Sequence, residues 1–318
     1  MAQDSPVDLS ASLSHLSRAD WLRALMAVSR EAGHFQPLGK RHFAAMIDGG
    51  RSLLVSFETI QGMQSLNEGA QPLGWTMVRD HGWSHMCLAS DGDTWFRNPR
   101  VYAFFDRLID DGIFEEFDQV LFYGAGPCAY AACAFSVAAP GARVVAVQPQ
   151  ATLDPRVTEW DDRFSHMRRT SFTDRYGYAP DMIDAAERVH VLYDPRHDMD
   201  AMHAALFTRP HVTKLRLPFM GEALQGSLLR MGMFYPLLEA AMLGELTPAR
   251  FAVLHRARRD HPPYLRSLLG HLETEERERL VYYLCANVSD RLSMPRFRKR
   301  LERFENADRP LRDDAAPE

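Results

Sequence analysis

Residues 119–155 read QVLFYGAGPCAYAACAFSVAAPGARVVAVQPQATLDP. Val120, Leu121, Phe122 and Tyr123 form a short apolar run with no polar alternation, the pattern of a strand buried on both faces. Gly124-Ala125-Gly126 turns the chain sharply. Pro127 to Ala139 is small, apolar and capable of helix, and Pro140-Gly141 stops it. Arg143 to Val147 reads as the next buried strand. The stretch is a βαβ unit with a right-handed crossover, so the expected fold class is α/β. Ligands in such sheets sit beyond the carboxyl ends of the strands. The Gly124–Cys128 turn is therefore where chemistry is expected.

The flanking chain fits the same class. Ser52–Phe57, Ser84–Ala89, Val189–Tyr193 and Val212–Leu217 read as further strands, and Phe43–Ile47 suits a helix or a strand equally. Ser17 with Asp20 starts a helix that carries Trp21, Leu25 and Val28 on one face. Glu58–Gly74 reads as loop. Asn98-Pro99 opens a helix with an apolar stripe of Val101, Phe104, Phe105, Leu108 and Ile109. Arg156–Arg168 is amphipathic through Trp160, Phe164 and Met167, and Thr170–Tyr178 is a polar, aromatic excursion. Asp198 caps a helix to Phe207. Beyond Gly221 the chain turns helical, with starts at Thr247-Pro248, Thr274 and Ser293-Met294-Pro295. The expected division is a flexible N-terminus (1–16), an α/β core (17–245), a helical C-terminal region (246–309) and a disordered tail (310–318).

Composition narrows the function classes. At 318 residues the chain suffices for one large domain or two ordinary ones. Its 46% hydrophobic and 25% charged residues make it a core-forming protein rather than a disordered one. A net charge of −5 offers no global attraction to nucleic acid. No apolar run approaches ~20 residues, so no membrane span is expected. The first twenty residues lack a basic n-region and an apolar h-region, so no signal peptide is expected. Cys87, Cys128, Cys133 and Cys285 have no metal-knuckle spacing and read mostly as core thiols, which implies a cytoplasmic address.

Two motif readings compete at the central turn. In the first, Gly124, Gly126 and Ala129 fit the G-x-G-x-x-[GA] pattern of a nucleotide or S-adenosylmethionine site. The strand that follows should then end in an acid, but Val147 is followed by Gln148. In the second, the turn is a nucleophile elbow, G-x-S-x-G between strand and helix. Gly126 occupies the nucleophile's position. Glycine brings no nucleophile, but it tolerates the strained backbone.

The pattern Phe122-Tyr123-Gly124-Ala125 with Tyr130-Ala131-Ala132 is followed by Arg143-Val144, Pro149-Gln150 and Leu153-Asp154-Pro155. It resembles bacterial proteins related to the α/β-hydrolase fold, including the accessory secretory protein type and companions of glycosyltransferases. Nearly the whole chain, with Trp83-Ser84-His85 and Phe207–His211, more closely resembles an alphaproteobacterial family often labelled phosphoadenosine phosphosulfate reductase. The resemblance implies an α/β-hydrolase-like, mostly parallel sheet flanked by helices. It also implies triad slots at Gly126 (nucleophile), Asp194 (acid) and Glu222 (histidine), of which only the acid keeps its chemical type. A Ser-His-Asp relay works as a unit, so a catalytically degenerate protein that binds a small molecule or a protein partner is expected, without a cofactor. The reductase label lacks its motifs: there is no S-G-G-x-D-S turn, and Cys285 lies at helical spacing with Leu284 and Leu280.

Other residues admit a plain reading beside a functional one. Cys128 opens a helix, where the dipole favours a thiolate. It fits a displaced hydrolase or acyltransferase nucleophile, or more commonly a small residue packed on the sheet. Trp83, His85 and Tyr130 are pocket candidates. Asp198, Asp200 and His203 have a loose metal spacing, but helix capping explains them more simply, so no metal is expected. The basic run Arg296–Arg303 fits a solvated helix face.

Overall fold

The structure, a computed structural model, describes residues 8–306. Its strands are β1 (Gly33–Pro37), β2 (His42–Ile47), β3 (Ser52–Thr59), β4 (Ser84–Ser90), β5 (Gln119–Ala125), β6 (Arg143–Val147), β7 (Arg188–Tyr193) and β8 (Val212–Arg216). They form one eight-stranded sheet in the order β1-β2-β4-β3-β5-β6-β7-β8. Only β2 runs against the rest, pairing antiparallel with β1 and β4. This is the α/β-hydrolase fold, in which β5 carries the elbow turn at its carboxyl end.

Helices α1 (Arg18–Glu31), α2 (Ile60–Leu66), α3 (Trp75–His81), α4 (Pro99–Asp110) and α5 (Pro127–Phe135) accompany the first five strands. Short helices α6 (Pro155–Thr158), α7 (Ala179–Met182) and α8 (Asp198–Ala205) follow. Then come α9 (Leu224–Arg230), α10 (Phe234–Met242), α11 (Pro248–Leu254), α12 (Pro262–Thr274), α13 (Glu278–Arg291) and α14 (Pro295–Glu305).

The small residues of α5 explain its position. Cys128 through Phe135 are all buried, so the helix lies low on the sheet. Phe135 stacks on Phe105 of α4, with ring centroids 4.5 Å apart, and meets Phe57 of β3 at 5.7 Å. Asn98 caps α4 by accepting from the Arg100 amide. Ile109, expected in its apolar stripe, is instead exposed. On the opposite face of the sheet, Leu237 and Leu238 of α10 share a core with Tyr123, Val145 and Val147. The last three helices enclose a core of their own, with Leu269, Cys285 and Phe297 at its centre.

Several expectations need correction. The Glu58–Gly74 stretch holds α2, capped by Thr59, whose hydroxyl accepts from the Gly62 amide. Residues 8–16 are not loose: Leu9 and Leu13 are buried, and Gln71 Nε2 donates to the carbonyls of Leu9 (2.9 Å) and Ala11 (2.7 Å). The expected tail, 310–318, lies outside the described residues. Arg156–Arg168 is mostly irregular, because Arg163 turns back to pair with Asp161 and Asp200. His197, not Asp198, is the N-cap of α8, and Thr274 ends α12 instead of starting a helix.

Two stability predictions follow from this packing. A Cβ at Gly124 would fall 2.1 Å from the Cys128 carbonyl oxygen. Gly124→Ala should therefore cost at least about 2 kcal/mol, read as a lower urea midpoint at unchanged slope. An unchanged midpoint would contradict the close approach. Burial also pushes His42, His190 and His255 down to about 4. Their unfolded value is about 6.5, so the folded state binds fewer protons. Their contribution is full above about pH 6.5 and is lost as pH falls towards 4. Urea unfolding at several pH values should show this decline, and the decline should shrink in His190→Gln.

Candidate functional site

The turn after β5 has the geometry of a nucleophile elbow. Gly126 sits at φ 57°, ψ −124°, a left-handed backbone that strains any residue with a side chain. Its amide donates to the Val147 carbonyl, and its own carbonyl accepts from the amides of Ala129 and Tyr130. An added Cβ would meet nothing within 4 Å. The space above the tip of the turn is open, and Gly126 places no side chain in it.

The next residue offers no amide hydrogen. In hydrolases of this fold the amide after the nucleophile is one of two oxyanion donors. Here that residue is Pro127, which has no N–H. The same geometry weakens the nucleotide reading. The first amide of α5 is missing, and those of Ala129 and Tyr130 turn back to Gly126. At most the Cys128 amide faces a phosphate. Gly124 serves the contact between β5 and α5, and Ala129 is wholly buried.

Asp194 and Glu222, expected at the acid and histidine slots, are engaged elsewhere. Asp194 is buried, and its carboxylate accepts from the amides of Arg196 (2.9 Å), Met220 (2.8 Å) and Gly221 (3.0 Å). It clamps the turn that follows β8. Glu222, three residues beyond that strand's capping loop at Leu217–Phe219, points to solvent with its side chain 88% exposed, 3.9 Å from His197 Nδ1. A pair so exposed lacks the desolvated, fixed geometry of a relay.

A cavity of about 120 Å³ lies beside the elbow. Ala125, Pro127 and Cys128 form one wall, and Glu58, Asp93 and Gln225 reach it from three other segments. Asp93 arrives on the loop after β4, where Trp95 and Phe96 both adopt positive φ. Glu58 is the penultimate residue of β3 and is buried. Its carboxylate accepts from the Leu73 amide (3.1 Å) and from Ser56 Oγ (2.7 Å). Burial pushes Glu58 up to about 7, against the pull of those hydrogen bonds. Burial also raises the Cys128 thiol well above its ordinary value, and the negative charges of Asp93 and Glu58 add to this. Cys128 is a protonated thiol at neutral pH, not the thiolate a nucleophile requires.

The remaining candidates are dispersed. Trp83 precedes β4, at the amino end of the parallel strands and so at the far end of the sheet from the elbow. Tyr130 faces the 171–176 excursion, donating to the Tyr176 carbonyl and accepting from Arg97 at 3.3 Å. His85 lies behind the cavity, its Nε2 2.8 Å from Ser56 Oγ. Asp200 is taken up by Arg163 (2.8 Å) and Gln148 (2.7 Å), and His203 by Asp161 (2.9 Å) and the Ala151 amide (3.1 Å). That group is a closed hydrogen-bonded network. Glu58, Asp93 and Gln225 were not anticipated. Their one sequence signal is the acid that ends the apolar run Ser52–Phe57.

No protein-family model matches the chain, and no curated protein matches it. Several solved structures are similar. One is Est1E from Butyrivibrio proteoclasticus, 8% identical over 65% of this chain and 97% of that one, with a TM-score of 0.40. Another is the glycosylation-associated Gap123 complex from Streptococcus agalactiae, 10% identical over 65% of this chain and 45% of that one, TM-score 0.42. A third is a hyperthermophilic esterase from the archaeon Pyrobaculum calidifontis, 14% identical over 79% and 94%, TM-score 0.40. At these identities and TM-scores the likeness carries no argument about this chain. No helix among the described residues is long and apolar enough to cross a membrane.

The Asp194 clamp is open to test. Asp194→Ala strands three backbone amides and should cost on the order of 3 kcal/mol. Amide exchange should quicken across residues 218–225. A variant as stable and as protected as the parent would show that the carboxylate holds nothing in place.

Proposed function

We propose that this chain is a catalytically degenerate α/β-hydrolase-like protein that acts by binding, at the cavity beside its elbow, rather than by acyl transfer. The observation that supports this is the pair Gly126-Pro127. The elbow conformation is kept, while the nucleophile and one oxyanion donor are both missing. Oxyanion donors and the triad each supply large factors in rate, and no histidine stands at position 222. The cavity is smaller than the ~300–1,000 Å³ that encloses a drug-sized ligand. With Glu58 and Asp93 in its wall, it suits a small ligand that is cationic or rich in hydrogen-bond donors.

A displaced nucleophile at Cys128 is the alternative within the fold, and its buried, protonated thiol speaks against it. A nucleotide or S-adenosylmethionine site is the alternative outside it, and the turn's offering at most the Cys128 amide speaks against that.

Hydrolysis of p-nitrophenyl acetate and butyrate separates these readings. The unaltered protein should show no turnover above buffer, and Gly126→Ser should remain silent because Pro127 still offers no amide. Turnover that Cys128→Ala abolishes would overturn the proposal. In a thermal-shift series, adenine cofactors should produce no stabilisation. A true ligand at ~100 times its Kd adds about 2.7 kcal/mol, so such a shift with an adenine cofactor would favour the nucleotide site.

A further inference from the structure

Four polar side chains meet beneath the segment that joins α2 to α3. Ser56 and Glu58 share one face of β3, and His85 and Cys87 share one face of β4. The parallel register sets Ser56 beside Cys87. All four are buried, at 0%, 4%, 0% and 0% exposure in that order. Glu58, His85 and Cys87 each offer one ligand atom, and these atoms all lie within 4.8 Å of one another. Cys87 Sγ is 3.7 Å from Glu58 Oε1. Ser56 Oγ bridges the group, 2.7 Å from Glu58 Oε1 and 2.8 Å from His85 Nε2. Gly74 packs so closely on the imidazole that a Cβ there would fall 2.3 Å from Nε2, which fixes the ring.

Hydrogen bonding alone leaves this cluster incomplete. His85 Nδ1 is buried and has no partner among the described residues. An unpaired buried polar atom costs about 1–3 kcal/mol, and here it sits in a group that also buries a carboxyl and a thiol.

We propose that Glu58, His85 and Cys87 bind a divalent cation of the zinc class. Thiolate, imidazole and carboxylate are the donors that ion takes. Donors at ~2.0–2.3 Å around a tetrahedral centre stand roughly 3.3–3.8 Å apart, and the Cys87–Glu58 separation already falls in that range. The charges also balance. One thiolate and one carboxylate cancel the divalent ion, so a neutral unit is buried in place of an isolated charge. Coordination displaces the Cys87 thiol proton, which leaves to solvent. Glu58 belongs both to this cluster and to the wall of the cavity at the elbow, which provides a path of entry. A small ligand arriving through the cavity takes the fourth position, with Ser56 Oγ as a hydrogen-bond partner beside the donors. The cluster lies on other strands than the turn, and its assignment does not depend on the loss of acyl chemistry.

Full-length protein stripped by chelation and titrated with Co²⁺ tests this directly. The expected result is a thiolate-to-cobalt charge-transfer band that saturates at one equivalent and is bleached by Zn²⁺. Cys87→Ala should abolish the band, whereas Cys128→Ala and Cys133→Ala should keep it. Glu58→Gln preserves the shape of the side chain and should weaken cobalt binding at least about tenfold. It carries the test should Cys87→Ala fail to fold. Absence of the band from the parent protein would overturn the assignment, as would a band of unchanged affinity in Glu58→Gln or in folded Cys87→Ala.

Discussion

The approach of α5 onto β5 is the contact on which the rest of this structure depends. It exists because Gly124 has no side chain: a methyl there would stand 2.1 Å from the Cys128 carbonyl oxygen. The run of alanines and cysteines behind the turn lets the helix settle fully into the core. From that position Phe135 reaches the rings of Phe57 and Phe105, joining β3, α4 and α5 into one apolar layer. The same approach leaves so little chain between strand and helix that the turning residue must take a left-handed backbone, and Gly126 takes it.

The elbow's geometry and the elbow's chemistry are therefore separable. Sterics between strand and helix demand the first, whatever residue stands at the tip. The second needs an oxygen or sulfur nucleophile, a base and two amides; Gly126 carries no nucleophile and Pro127 no amide hydrogen. Asp194 shows the same division. Its carboxylate keeps a place in the fold because three backbone amides of two turns need an acceptor. A carboxylate so engaged is a structural clamp.

Polar chemistry gathers instead at the end of β3. The carboxyl of Glu58 is desolvated and faces the cavity on one side and Ser56 and Cys87 on the other. The elbow cavity is thus walled by carboxyl and amide side chains, next to a thiol that burial pushes up.

The β5-α5-β6 unit was legible because its signals are local: an apolar run, two glycines, a small helical stretch and a Pro-Gly stop. Strands β3, β4, β7 and β8 were legible for the same reason, as were the caps at Asn98 and Thr247. The short edge strand β1 was not, since Gly33–Pro37 mixes polar and apolar residues and is held mainly by pairing with β2. Helix α2 was hidden by Gly62, whose amide Thr59 caps. The site was legible only at its elbow. Local sequence set Gly126 at the tip of the turn and withheld a nucleophile, because that follows from one residue's chemistry and its nearest neighbours. Tertiary structure alone decided that Glu58, Asp93 and Gln225 line the cavity at that turn and that Trp83 and the Tyr130 side chain do not. β3 lies between β4 and β5, and a parallel strand that returns out of sequence brings together residues whose spacing along the chain carries no trace of the contact.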